Sequence, residues 1–294
     1  MKRILLALAT LVLVVTVVVA QRKTPPPLPA GVAAHRNVEY VAGGGKSQSL
    51  DLFVPEKTVA ALPVVVWIHG GAWWAGSKEG CPAMPLLSKG YAVASLNYRL
   101  SQEAPWPAQI DDCKAAIRWL RAHAKEYNLD PARIGVWGGS AGGHLVAMLG
   151  VTGDKDSSVQ AVCDCSGPID FTTFDLKLPN QNNQITSPVV QLLGGADAVT
   201  KEKLVRASPI TYVSAKAAPF LIMHGDKDPL VALSQSEKLN AALEKAGADT
   251  KLVIVTGAGH SFGGPDILKQ IQEFFDKHLK RSSGNFSPGQ RRGL

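Results

Sequence analysis

Trp137-Gly138-Gly139-Ser140-Ala141-Gly142-Gly143 is the stretch on which the reading of this chain turns. It follows Ile134 to Trp137, a short apolar run of the kind used by a buried strand, and opens Ala141 to Leu149, which reads as a helix. A chain that passes from strand to helix across one residue holds that residue in a strained backbone conformation. Side chains on its neighbours would collide there, which accounts for Gly138 and Gly142 on either side of Ser140. The strain lifts the Ser140 hydroxyl above the sheet, and the helix starting at Ala141 directs free N–H groups and the positive end of its dipole toward it. A dinucleotide-binding loop is the competing reading of such a turn. That reading requires G-x-G-x-x-G in the first strand–helix unit, with an acid about 20 residues on. Here the turn comes late, and Asp154 and Asp156 are wrongly placed for the role.

On both sides of this turn, apolar runs alternate with helical spacings. Val38 to Tyr40 and Leu50 to Val54 read as early strands joined through Gly43-Gly44-Gly45. Val64 to Ile68, Tyr91 to Leu96, Val159 to Cys163, Phe220 to Met223 and Lys251 to Val255 read as further strands. Ile110 to His123, Leu233 to Lys245 (closed by Gly247 as C-cap) and Ile267 to Leu279 read as helices. β-branched strands without alternation, separated by helices, predict an α/β fold with a mostly parallel sheet covered on both faces. The stretch from Thr172 to about Pro209, with Asn180 to Gln184 at its middle, reads as a small polar insertion.

A serine nucleophile needs a base, and the chain holds seven histidines. His260, in Gly257-Ala258-Gly259-His260-Ser261-Phe262, follows the last strand, at the sheet edge where such sites assemble. His123 and His278 read as helix residues, His144 as a packing residue one turn past Ser140, and His224 as a brace for the turn that follows it. The base needs an acid. His224-Gly225-Asp226-Lys227-Asp228-Pro229-Leu230-Val231 offers two, Asp226 and Asp228. Asp226 suits a structural role in the turn. Asp228 lies further out, held extended by Pro229, and is the expected partner of His260. The chain order is then Ser, Asp, His. Val64 to Ile68 runs into His69-Gly70-Gly71-Ala72-Trp73-Trp74, whose glycines let backbone N–H groups of Gly70 and Gly71, together with that of Ala141, face an oxyanion. Trp73, Trp74 and Trp106 are candidates to line an acyl or sugar pocket, with core packing as the competing reading for each. The acidic turn is expected to serve this triad and not a metal.

With these motifs in order, the chain from about Val64 to Phe275 resembles an α/β-hydrolase of the hormone-sensitive-lipase-like esterase group, nearest its acetyl-xylan and feruloyl esterase-like branch. The resemblance is carried by His69 to Trp73, Asn97-Tyr98-Arg99-Leu100, Trp106-Pro107-Ala108-Gln109-Ile110-Asp111-Asp112, Gly138 to His144, Ser208-Pro209-Ile210, His224 to Val231 and Gly257 to His260. It implies the α/β-hydrolase fold, hydrolysis of carboxylic esters through an acyl-enzyme, no cofactor, and a triad acid in the Asp-Pro-Leu-Val element. Two departures, Ala72 for the third Gly of a lipase-like HGGG and Gly139 for the Asp often found before the nucleophile, point away from the core lipases. The short polar insertion predicts short acyl groups, acetyl to butyryl, or compact aromatic ones, on small-molecule or saccharide esters. The alternatives are an exported serine peptidase of the same fold and a non-catalytic binding protein on a hydrolase scaffold.

Composition bounds the rest. The 294 residues carry 31 Lys+Arg against 24 Asp+Glu, a net +7. Lys2 and Arg3 at one end and Lys280, Arg281, Arg291 and Arg292 at the other account for six of the cations, leaving 25 basic against 24 acidic residues between them. The body therefore offers no charge excess for a phosphate backbone, and no nucleic-acid partner is expected. Lys2-Arg3 followed by the apolar run Ile4 to Ala20 reads as a signal peptide over residues 1–20, or an uncleaved N-terminal anchor as the sole membrane contact. A Pro-rich spacer is expected over 21–34, the hydrolase domain over 35–280 and a disordered basic tail over 281–294. The protein is thus expected to be exported. Export permits disulfides. Cys163 and Cys165, two apart on one strand face, are badly placed to bridge each other, and the sequence assigns no pairing to Cys81 or Cys113.

Overall fold

The computed structural model describes residues 28–174, 176 and 187–280. The signal segment, residues 21–27 of the spacer, Asn180 to Gln184 and the basic tail lie outside the described residues.

The chain from Gly31 forms one compact unit. Its strands are β1 (Val32–Glu39), β2 (Ser49–Pro55), β3 (Leu62–Ile68), β4 (Ala92–Leu96), β5 (Leu129–Gly139), β6 (Ala161–Cys165), β7 (Phe220–Gly225) and β8 (Thr250–Val255). Its helices are α1 (Ala108–Ala122), α2 (Ala141–Thr152), α3 (Pro188–Leu192), α4 (Lys201–Arg206), α5 (Ser234–Ala246) and α6 (Pro265–Leu279). The strands form one sheet in the order β1-β2-β4-β3-β5-β6-β7-β8. The β1–β2 and β2–β4 pairs are antiparallel, and every pair from β4 to β8 is parallel. This is the α/β-hydrolase fold that the motifs imply.

The differences from the sequence reading have local causes. β1 starts at Val32, inside the stretch assigned to the spacer, because Val32 to His35 pair with Leu52 to Pro55. β5 starts at Leu129, five residues before the Ile134 at which the sequence reading begins the strand. Leu129 pairs with Leu62, and the register then slips before Val64 meets Ile134. The insertion is less polar than its middle suggests: Val189, Val190, Leu192 and Leu193 are buried, and the Leu192 carbonyl accepts the Trp106 N–H at 2.7 Å.

The two faces of the sheet are built differently. Val64, Val66 and Ile68 of β3 and Ile134 and Val136 of β5 join Ile117 and Leu120 of α1 and Leu145, Val146 and Leu149 of α2 in one large core. α2 has ten buried residues, including Gly142, Gly143 and His144, so it is a central helix and not an amphipathic one. Strand alternation places Gly135, Trp137 and Gly139 on the opposite face, the face on which α6 lies. At Gly135 an added Cβ would stand 2.7 Å from Phe275 and 2.8 Å from Leu279 of α6. α6 lies this close to the sheet because position 135 has no side chain. Gly247 ends α5 at φ 77, returning its N–H to the Glu244 and Leu243 carbonyls, as the C-cap reading expects.

Gly135→Val should lower the unfolding free energy by about 1–3 kcal/mol by overpacking this contact. In a Phe275→Ala background, which itself should cost about 3–5 kcal/mol, the same change should cost less because the space is vacated. Urea denaturation of the four-variant cycle measures the coupling. Equal costs in both backgrounds would show that Phe275 does not set the closeness of α6.

Candidate active site

Ser140 sits between the last residue of β5 and the first of α2 at φ 55 and ψ −121, a conformation few non-glycine residues adopt. Its N–H donates to the Cys165 carbonyl of β6 at 2.8 Å, and its carbonyl accepts the His144 N–H at 3.0 Å. The neighbours fix the turn by contact. A Cβ on Gly142 would be driven into the carbonyl oxygen of Ile68, at the end of β3, and one on Gly138 into that of Gly142. The turn therefore closes only with glycine at both positions.

The stretch after β3 lies against this turn. A Cβ on Gly70 would stand 2.7 Å from the Gly139 carbonyl and 3.3 Å from the Ser140 Cβ. Gly71, Ala72 and Trp73 all have positive φ (110, 55 and 58), and the Trp74 and Ala75 N–H groups both return to the Gly71 carbonyl at 2.9 Å. The loop is held from behind. The Tyr98 hydroxyl donates to the His69 carbonyl at 3.0 Å, and the two rings stack at 4.4 Å. Burial keeps the His69 pKa below its ordinary value. Further along, Lys78, 3% exposed, pairs with buried Asp51 at 2.8 Å and gives its N–H to Asn97. Sequence reasoning missed this buried ion pair, since an isolated Lys in a loop reads as a solvated residue.

His260 and Asp228 meet at 2.7 Å between Nδ1 and Oδ2. Asp228 Oδ1 accepts the N–H groups of Leu230 at 2.8 Å and Val231 at 3.0 Å. Burial acts to raise the Asp228 pKa, but these backbone donors and His260 outweigh it and hold the carboxyl below its ordinary value. With Nδ1 held, Nε2 is the ring nitrogen left for proton exchange. Asp226 does something else: it accepts the Gly257 N–H at 2.6 Å, and the Lys227 N–H reaches the Ala258 carbonyl at 2.8 Å, so the acid loop and the histidine loop are stitched together. His224, fully buried, accepts from Ser236 at 2.7 Å and donates from Nε2 to the Val231 carbonyl at 2.9 Å, with Asp228 Oδ2 3.1 Å from the same nitrogen. Both residues of the proposed brace are thus engaged in bracing.

Ser140, His260, Gly70 and Gly71 line one cavity of about 840 Å³, together with Trp67, Trp137, Cys165, Phe262, Ile267 and Leu268 among others. The expected pocket tryptophans are placed elsewhere. Trp73 is buried, donating from Nε1 to His144 Nδ1 at 3.2 Å and meeting Phe171 edge-on at 5.6 Å. Trp106 packs on His144 at 5.3 Å, and Trp74 is exposed. None of the three lines the cavity. The aromatic wall is instead Trp67 and Trp137, edge to face at 5.4 Å, which the sequence hides inside strands. His144, whose Nε2 donates to the Ala207 carbonyl at 2.8 Å, is a packing residue as expected, and burial lowers its pKa to about 4. The four cysteines are free thiols, with Cys163 and Cys165 sulfurs 4.0 Å apart.

One buried acid remains. Asp164 of β6 is fully buried, accepts a single hydrogen bond from the Gly167 N–H at 2.9 Å, and leaves Oδ2 without a partner among the described residues. Burial raises its pKa to about 7.

The BD-FAE family model matches residues 50–243. The esterase LipQ of Mycobacterium tuberculosis is 33% identical over 237 residues, covering 74% of this chain and 55% of LipQ. The probable carboxylic ester hydrolase LipM of the same organism is 35% identical over 210 residues, covering 65% and 48%. The chain thus spans about half the length of these curated relatives. Among solved structures, a truncated form of a carbohydrate esterase from gut microbiota superposes with a TM-score of 0.75 at 33% identity, covering 85% of this chain and 97% of that one.

Asp164 generates a pH prediction. Its folded pKa lies above the unfolded value, so its contribution favours folding at low pH and is lost as pH rises through about 7. Asp164→Asn should therefore gain stability relative to the parent by roughly 4 kcal/mol between about pH 4 and pH 8, with most of the gain above about pH 5. Denaturant midpoints across that range test it, and parallel curves for parent and variant would show that Asp164 titrates normally.

Proposed function

The chain belongs to the BD-FAE family, and from that premise we propose that it is a serine carboxylic-ester hydrolase working through an acyl-enzyme. The observation that carries the reading is the 2.7 Å contact between His260 Nδ1 and Asp228 Oδ2 at the rim of the cavity that also holds Ser140. In this reading Ser140 Oγ attacks the ester carbonyl while His260 Nε2 takes its proton. Asp228 fixes the histidine tautomer and stabilises the imidazolium that forms. The N–H groups of Gly70, Gly71 and Ala141 receive the oxyanion, which the closeness of Gly70 to Ser140 and the helix start at Ala141 both support. His260 returns the proton to the leaving alcohol, and water resolves the acyl-enzyme by the same route. Short or compact acyl groups on small-molecule or saccharide alcohols are the proposed substrates, and the carbohydrate esterase likeness supports that class. Export, proposed from Lys2-Arg3 and the apolar run after them, would place the enzyme where polymeric or extracellular esters are met.

Ser140→Ala should abolish turnover of p-nitrophenyl acetate and butyrate by several orders of magnitude with melting unchanged. A residual rate within about tenfold of the parent would remove the assignment. Asp228→Asn should lower kcat by about 10³–10⁴ without unfolding the protein. Asp226→Ala should act on stability, by about 1–2 kcal/mol from the lost Gly257 contact, and little on kcat. The reverse pattern would exchange the two roles, and absence of ester turnover in the parent would leave the peptidase or binding-protein reading.

A further inference from the structure

The cavity is much larger than an acetyl group and lies to one side of Ser140. Its walls are Trp67 of β3, Trp137 of β5 and Cys165 of β6, with the His260 to Pro265 segment and Ile267 and Leu268 of α6 opposite. These residues belong to the α6 face of the sheet. On the other face, the space beyond Ser140 is filled. Trp73 is 3% exposed, Phe171 and His144 are fully buried, and Trp106 and Leu192 close over them. Among the described residues, the room beside Ser140 lies on the α6 side.

Gly139 opens that side. It is the last residue of β5, its alternation places it on the α6 face, and its backbone is not in the left-handed region, so it admits a side chain conformationally. A Cβ there would meet only Trp67 Cη2 at 3.8 Å and the Cys165 carbonyl at 3.9 Å. Position 139 thus has room for a side chain between Ser140 and Trp67, and the chain carries none there.

We propose that this slot, floored by Trp67 and Trp137 and opened by Gly139, holds the alcohol half of the ester, and that Gly139 sets selectivity for alcohols presenting a flat apolar or CH-rich face one or two rings in size. The proposal rests on the ester-hydrolysis reading. The leaving oxygen must come within hydrogen-bond reach of His260 to receive its proton, and His260 begins the segment that forms the outer wall of the slot and runs into α6. The alcohol half is therefore delivered to this side. A volume of about 840 Å³ falls within the roughly 300–1,000 Å³ of pockets that enclose ligands of several rings, and two tryptophans suit the face of an aromatic or sugar ring.

The test uses full-length protein and acetates of methanol, benzyl alcohol and 2-naphthylmethanol, whose leaving groups differ little in basicity. Methyl phenylacetate places the ring on the acyl half instead. Gly139→Val fills the slot above Trp67, and Trp67→Ala removes its floor. The parent should prefer the aryl-bearing acetates to methyl acetate in kcat/KM. Each variant should reduce the benzyl-to-methyl ratio by about tenfold or more, through KM. Benzyl-to-methyl ratios unmoved by both variants, or a larger loss on methyl phenylacetate than on benzyl acetate, would overturn the assignment. A parent that turns over none of the esters would remove the ester reading itself, which is a different result from an active enzyme whose ratios do not move.

Discussion

The approach of α2 to the end of β3 is the constraint on which the rest depends. Gly142 lies so near the Ile68 carbonyl that no side chain fits between them, and a side chain on Gly70 would likewise collide with the Gly139 carbonyl. These two contacts make the Ser140 turn and the proposed oxyanion loop one object: whatever positions β3 against β5 positions the Gly70 and Gly71 amides against Ser140. The parallel register of Trp67 with Trp137 and Ile68 with Gly138 does this positioning. The strain at Ser140 persists because backbone on both sides over-determines it, in the Cys165 carbonyl, the His144 N–H and the packed glycines.

The sequence was most informative where chemistry needs a residue type that packing does not. Ser140 between glycines, two aspartates after a strand and a histidine after the last strand are hard to explain by core packing, and the structure brings Asp228 and His260 into contact as the spacing suggests. The strand and helix pattern was equally legible, because a sheet covered on both faces leaves continuous β-branched runs such as Val64 to Val66. Aromatic residues were misjudged for a physical reason. Trp73 stands beside the site in sequence, but the positive φ values from Gly71 onward redirect the loop and send its indole into the core toward His144. Trp67 and Trp137 read as interior strand residues, and only the register that aligns them shows that they form a cavity wall. The apolar Val189 to Leu193 segment was masked by its polar flank, since hydropathy averaged over an insertion hides a short buried helix.

The two faces of the sheet divide the labour. One is sealed by α1, α2 and the aromatic cluster around His144, whose neutral ring is hydrogen-bonded at both nitrogens and contributes rigidity. The other carries α6, held close through Gly135, and leaves at its carboxyl edge the cavity that Ser140 faces. Glycines on one alternation of β5 therefore serve two ends. Gly135 admits the helix and Gly139 leaves the space the helix does not fill.

Two carboxyls within this framework show how depth of burial and donor count together decide ionisation. Asp228 and Asp164 are both at or below 1% exposure, so both lose hydration. Asp228 is met by two backbone N–H groups and by His260, and its pKa falls. Asp164 is met by one N–H, and its pKa rises to about 7. Asp164 is the more deeply desolvated and Asp228 the better supplied with donors, and the two differences together give the shifts opposite signs. Asp228, the acid proposed to stay charged beside His260, lies in a loop whose turn aims N–H groups inward. The acid in the strand cannot gain such donors, because the N–H groups around it are committed to the sheet ladder and to α2. A carboxylate suited to hold His260 in one tautomer across the neutral range therefore requires the Asp-Pro-Leu-Val turn and not merely an aspartate near the histidine.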